Sequence, residues 1–153
     1  MNTEKATKII FFLSVLPLIF ALFLSLYFSF NLADLTTITY KFSRINSYIY
    51  AHSYGAILLT MFCGLCLGRL INEEVSGWIL LIYFILVMAA WLSYQSFADW
   101  IGMSFLIFCW IVHAFLFIKA RNLIGLPGWF NQGYIKVQII IILLLSLITL
   151  INQ

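Results

Sequence analysis

The chain has 153 residues, of which 65% are hydrophobic and 8% charged, with a mean hydropathy of +1.10. A water-soluble domain carries about 25% charged residues, so a soluble globular fold is excluded, and the length leaves one domain with no separate soluble module. The net charge of +3 is too small and scattered to suggest a nucleic-acid partner, and membrane lipid is expected to surround the polypeptide.

Lys5 and Lys8 precede the first apolar run in the manner of a secretory signal. That run, 9–30, is 22 residues long, beyond the roughly 7–15 of a removable apolar region. No small-x-small cleavage site follows it in Asn31-Leu32-Ala33-Asp34, so we expect a retained span. A helix needs about 20 apolar residues to cross the hydrocarbon core. Four further runs qualify: 50–70, 78–95, 100–118 and 135–151. The predicted fold class is an all-α membrane protein, a bundle of five transmembrane helices in a single polytopic domain, 1–153.

The breaks between spans have different strengths. Lys41 to Asn46 is polar. Asn72-Glu73-Glu74 followed by Ser76-Gly77 is a short charged turn. The break at Ser96 to Asp99 is the weakest, with one charge and neither Gly nor Pro, which predicts a tight hairpin or a bent pair of spans. Lys119 to Gly133 carries Gly125, Pro127, Gly128 and Gly133, which punctuate a helix. Segment 122–134 is too apolar for a free loop, with Leu123, Ile124, Leu126, Trp129 and Phe130, and is expected in the interface or dipping into the membrane. Segment 31–46 is expected to do the same on the other side. There is no internal repeat.

Basic residues concentrate on the cytoplasmic side of membrane proteins. With the N-terminus inside, the inner segments hold Lys5, Lys8, Arg69, Lys119, Arg121 and Lys136, and the outer ones only Lys41 and Arg44. This predicts the N-terminus inside and the C-terminus outside. Trp78, Trp100 and Trp129, with Tyr48 and Tyr50, fall at predicted interfaces. Trp91 and Trp110 lie deeper and are expected to pack between helices. The absence of an Arg-rich presequence favours a bacterial inner membrane over a mitochondrial one.

Three stretches together carry a family resemblance: Val15-Leu16-Pro17-Leu18-Ile19-Phe20; Tyr54-Gly55-Ala56-Ile57-Leu58-Leu59-Thr60 with Gly64 and Gly68; and Leu126-Pro127-Gly128-Trp129-Phe130 with Lys136. The chain resembles the domain-of-unknown-function family 3429, which includes the vertebrate mitochondrial transmembrane protein 69. The resemblance implies a small polytopic protein of bacterial inner membranes, or of mitochondria in eukaryotes, and implies no known reaction. Cys63 stands where the family has a second glycine, Leu67 where it has an aromatic residue, and Cys66 where a basic or polar residue is common. A function resting on those positions in the family would be lost or altered here.

Gly64 and Gly68 are a small-xxx-small pair on the second span, with Gly55 further along. Glycine lets helix backbones approach closely in lipid. The pair therefore reads either as packing within the chain, the simpler reading, or as a seam for a homo-oligomer or another membrane protein. Cys63-Gly64-Leu65-Cys66 places two thiols on one face, but a zinc or iron–sulfur site needs about four ligands. Cys109 is the other thiol, and no Cys or His pair accompanies it. The cysteines therefore read as small apolar packing residues, and no metal or cofactor is expected. His52 and His113 differ in depth by about 20 Å at 1.5 Å per residue, too far to ligate one haem iron.

His52 and Asp99 fall at nearly the same depth and form a candidate polar pair at the outer interface, structural before catalytic. Glu4, Asp34, Glu73, Glu74 and Asp99 all lie at or beyond span ends. An ion-coupled transporter would be expected to hold an ionisable residue near midplane. There is no G-x-S-x-G, no H-E-x-x-H and no phosphate loop, so no catalytic residue is assigned. The leading reading is a non-enzymatic accessory or assembly factor that packs against a membrane partner. A small-molecule or lipid binder, or transporter component, would use a region near Trp91, Tyr94, His113 and Trp129. A membrane enzyme would use His52 and Asp99.

Overall fold

The computed structural model describes residues 3–30, 37–71, 77–96, 100–122 and 124–152. They form five α-helices: α1 Thr3–Phe30, α2 Thr37–Leu70, α3 Gly77–Ser96, α4 Trp100–Ala120 and α5 Gly128–Asn152, with no strand among the described residues. Each helix is long and apolar enough to cross a membrane. The protein is therefore an all-helical, multi-pass integral membrane protein. Lipid offers no hydrogen bonds, so each span must satisfy its backbone internally, and the helix does this within one segment.

Two helices begin earlier than the sequence suggests. α2 starts at Thr37 rather than at 50, so the polar stretch Lys41 to Asn46 is helical and not a loop. α5 starts at Gly128 rather than at 135, which corrects the expectation of an irregular segment over 122–134. The connection is compact. The Ile124 amide donates to the Ala120 carbonyl at 3.0 Å, and Gly125 then takes φ +63°, the left-handed conformation that ends a helix. Pro127 follows, and its carbonyl accepts from the amides of Phe130 and Asn131 at 2.9 and 3.0 Å. A proline costs nothing at a helix start because its missing N–H has no partner there in any case. Gly133 lies within α5, and a Cβ on it would meet the Phe11 ring at 3.2 Å, so this glycine admits α1 rather than breaking the helix.

The helices stand in two layers. α2 touches all four others; among the described residues α1 and α3 flank it without touching each other, and α5 and α4 complete a second row behind them. At the distal end, where α1 finishes, the Ser25 and Ser47 hydroxyls lie 3.1 Å apart, and the Asn152 amide donates to Ser25 at 3.2 Å, tying α1, α2 and α5. At the proximal end Phe11 packs on Phe130 and Tyr134, with ring centroids 5.1 and 6.2 Å apart. Pro17 sits inside α1, where it removes one backbone bond. One turn away the Tyr54 hydroxyl donates to the Ser14 carbonyl at 3.0 Å, fastening α1 to α2 there.

The middle of the bundle is organised on Gly55. The indole N–H of Trp110 donates to its carbonyl at 3.2 Å, and a Cβ on Gly55 would meet the methyls of Leu106 and Leu145 at 3.1–3.2 Å. Trp110 thus packs between helices, as expected. Trp91 does not: it is 57% exposed and points out of the bundle. Trp78, Trp100 and Trp129 all lie in the first turn of a helix.

Candidate functional site

The densest group of polar side chains lies inside the proximal half, where α2, α3, α4 and α5 converge. Cys66 from α2, Tyr83 from α3, His113 from α4, and Tyr134 and Gln138 from α5 are all fully buried. Helical spacing gathers them. Tyr134 and Gln138 are one turn apart on α5. On α4, Cys109 and His113 are one turn apart, on the same inward stripe as Leu106, Trp110 and Phe117.

The Cys66 sulfur lies 3.5 Å from the Tyr134 hydroxyl and 4.0 Å from Nε2 of His113. The Tyr134 hydroxyl donates to the Phe62 carbonyl at 3.1 Å. That carbonyl can only accept, and Tyr134 has a single hydroxyl proton, so the Tyr134 oxygen accepts from the Cys66 thiol. His113 is enclosed by the rings of Phe62, Tyr83, Trp110 and Tyr134, at centroid distances of 6.5, 5.8, 6.0 and 6.1 Å. Among the described residues, Nδ1 of His113, both amide atoms of Gln138 and the Tyr83 hydroxyl have no partner in good hydrogen-bonding geometry, although Gln138 lies beside His113 and Tyr83 beside Cys66. In a bilayer each such group costs several kcal/mol, which sets this cluster apart from the apolar packing around it.

A second buried polar contact lies towards the distal end. Nε2 of His52 is 3.2 Å from the Ser93 hydroxyl. Ser93 donates its one proton to the Ala90 carbonyl at 2.7 Å, so His52 donates from Nε2 and Ser93 accepts. A serine nucleophile would need the reverse, an imidazole lone pair facing the hydroxyl proton. The contact therefore fastens α2 to α3 and does not activate Ser93. Asp99, the expected partner of His52, lies outside the described residues.

The residues expected around one binding region do not converge. Tyr94 is half exposed beside His52, with ring centroids 5.7 Å apart. Trp91 faces outward on the same helix, His113 is in the proximal core, and Trp129 packs on Phe130 at the start of α5. The glycines also divide. Gly55 is packed inside, whereas a Cβ on Gly64 or Gly68 would meet nothing within 4 Å among the described residues. The packing within the chain expected for that pair is thus not found. Gly64 and Gly68 lie on the outward stripe of α2 with Ile57, Met61 and Leu65, in the middle of the three-helix layer.

The histidines stay far apart, as expected: His52 and Cys66, the α2 residue beside His113, are 14 residues or about 21 Å apart along one helix. The three cysteines are free and buried. Sequence reasoning missed the meeting of Cys66, His113, Tyr134 and Gln138. The available signal was Cys109-x-x-x-His113, whose spacing puts both on the face that α4 turns to Cys63 and Cys66. The chain matches no family model, no curated protein and no solved structure.

Proposed function

We propose that this protein is a non-catalytic accessory or assembly factor that works by packing a helix of another membrane protein against α2. The observation that carries this reading is the placement of Gly64 and Gly68 on the outward face of the central helix, with open space above both among the described residues. In lipid there is little hydrophobic drive between helices, and association rests on close backbone approach at small residues. α2 offers such a strip, and α1 and α3 stand apart on either side of it. Ile57 and Met61, 56% and 63% exposed, provide apolar knobs on the same stripe.

The same proposal places the N-terminus in the cytoplasm of a bacterial cell, or in the matrix of a mitochondrion, on the support of the basic residues at the proximal end. It also includes kinship with family 3429. The stretches behind that kinship lie on α1, α2 and the start of α5, three helices that touch one another.

The test is capture in mild detergent from native membranes, comparing wild type with the Gly64→Leu/Gly68→Leu double variant. A partner retained by wild type and lost by the double variant, with helical content unchanged, supports the reading. A self-associated wild type that becomes monomeric in the variant identifies the partner as a second copy. A wild-type protein recovered alone and monomeric, or a partner held equally by both, overturns it.

A further inference from the structure

We propose that Cys66 and His113 form a two-coordinate binding site for a soft monovalent cation of the Cu(I) class. The Cys66 sulfur and Nε2 of His113 are 4.0 Å apart, at the outer limit for a sulfur hydrogen bond. A metal bonded to sulfur at about 2.3 Å and to an imidazole nitrogen at about 2.0 Å holds the two donors at most about 4.3 Å apart. At the observed separation an ion would sit about 0.8 Å off the line between them, and a side-chain movement of about 0.3 Å would bring the two donors opposite each other. The thiol proton is directed at the Tyr134 oxygen, because Tyr134 gives its own proton to the Phe62 carbonyl. The sulfur lone pairs are left to face the imidazole and the nearby Tyr83 hydroxyl.

Charge decides the class of ion. One thiolate, one neutral imidazole and one monovalent cation sum to zero, which a membrane interior tolerates. A divalent ion on the same pair would leave a net positive charge buried in lipid, at a cost of several kcal/mol. Thiolate selects soft metals, and imidazole also suits copper. Among the described residues no three His, Cys, Asp or Glu side chains are placed to share one ion. Zinc, which takes four ligands, is therefore not served, whereas a closed-shell monovalent ion needs two. A metal-binding histidine normally donates from its other nitrogen to a carbonyl or carboxylate. Gln138 is buried beside His113, and a small turn of its side chain would bring its amide oxygen to Nδ1 as that acceptor.

Binding breaks the S–H bond of Cys66, forms a sulfur–metal bond and releases one proton to solvent, with no change of oxidation state. Cys66 is four residues from the end of α2, about 6 Å below it, so the ion arrives from the proximal side. The surrounding rings then exclude water and competing ligands.

The purified protein, in detergent and under anaerobic reducing conditions, is titrated with Cu(I) against a chromophoric chelator. One equivalent is expected for wild type and for Cys63→Ala and Cys109→Ala, and none for Cys66→Ser or His113→Leu. X-ray absorption on the loaded wild type should show one sulfur and one nitrogen neighbour, a readout that does not depend on any variant folding. No uptake by wild type, two sulfur neighbours, or full uptake by Cys66→Ser would each overturn the site.

Discussion

Adding one methyl group to α2 should have opposite effects on its two faces. At Gly55 an alanine Cβ would stand 3.1–3.2 Å from the methyls of Leu106 and Leu145. Ordinary carbon contacts are about 3.5–4.0 Å, so two leucine side chains must each give by about 0.4 Å. Overpacking of this kind costs about 1–3 kcal/mol; the leucine ends can turn, so about 2 kcal/mol is the reasonable figure. Alanine recovers about 0.5–1 kcal/mol over glycine within a helix. The net effect for Gly55→Ala is a loss of about 1 kcal/mol, roughly fivefold in the folding equilibrium. At Gly64 and Gly68 nothing among the described residues opposes the methyl, so only the gain of about 0.5–1 kcal/mol remains. Reversible unfolding in mixed micelles, titrated with a denaturing detergent, should place Gly55→Ala below wild type and Gly64→Ala and Gly68→Ala at or above it. If Gly64→Ala loses as much as Gly55→Ala, α2 has been assigned the wrong inward face and the docking argument fails with it.

Two other expectations rest on single contacts. Ser93→Ala removes the acceptor for His52 and should cost about 0.6–1.7 kcal/mol, the range for a polar bond between membrane helices; in the wild type, nitrogen NMR should find His52 neutral and protonated at Nε2, and the opposite tautomer would refute the proton assignment. The double variant Ser25→Cys/Ser47→Cys, whose hydroxyls lie 3.1 Å apart, should close a disulfide on oxidation and keep α1 joined to α2 after cleavage between them; fragments that separate without reductant would show that the two helices do not meet there.

The number of spans was legible because length and hydropathy alone decide whether a segment can cross lipid, and the five observed helices cover the five predicted runs. Helix starts were less so. Gly128 and Gly133 looked like breakers, yet one opens α5 and the other makes room for Phe11. Which side of a span faces inward was hidden, because a helix that is apolar all round carries no amphipathic signal. Trp91 and Trp110 therefore looked alike, and only the three-dimensional packing separates them. The polar cluster was hidden for another reason. Cys66 lies 47 residues from His113 and 68 from Tyr134, and contacts of that range depend on which helices are neighbours. Cysteine, tyrosine and glutamine scattered through apolar runs do not disclose this.

The length of α2 has a mechanical consequence. Its 34 residues reach about 51 Å, against about 30 Å of hydrocarbon. The apolar part runs Asn46–Leu70, so residues 37–45 continue the same helix past it as a post. Because this rod also touches every other helix, it serves the molecule as an axle. A twist or tilt applied to the post would be carried through the bilayer to Cys66 and to the glycine strip, without any loop having to relay it.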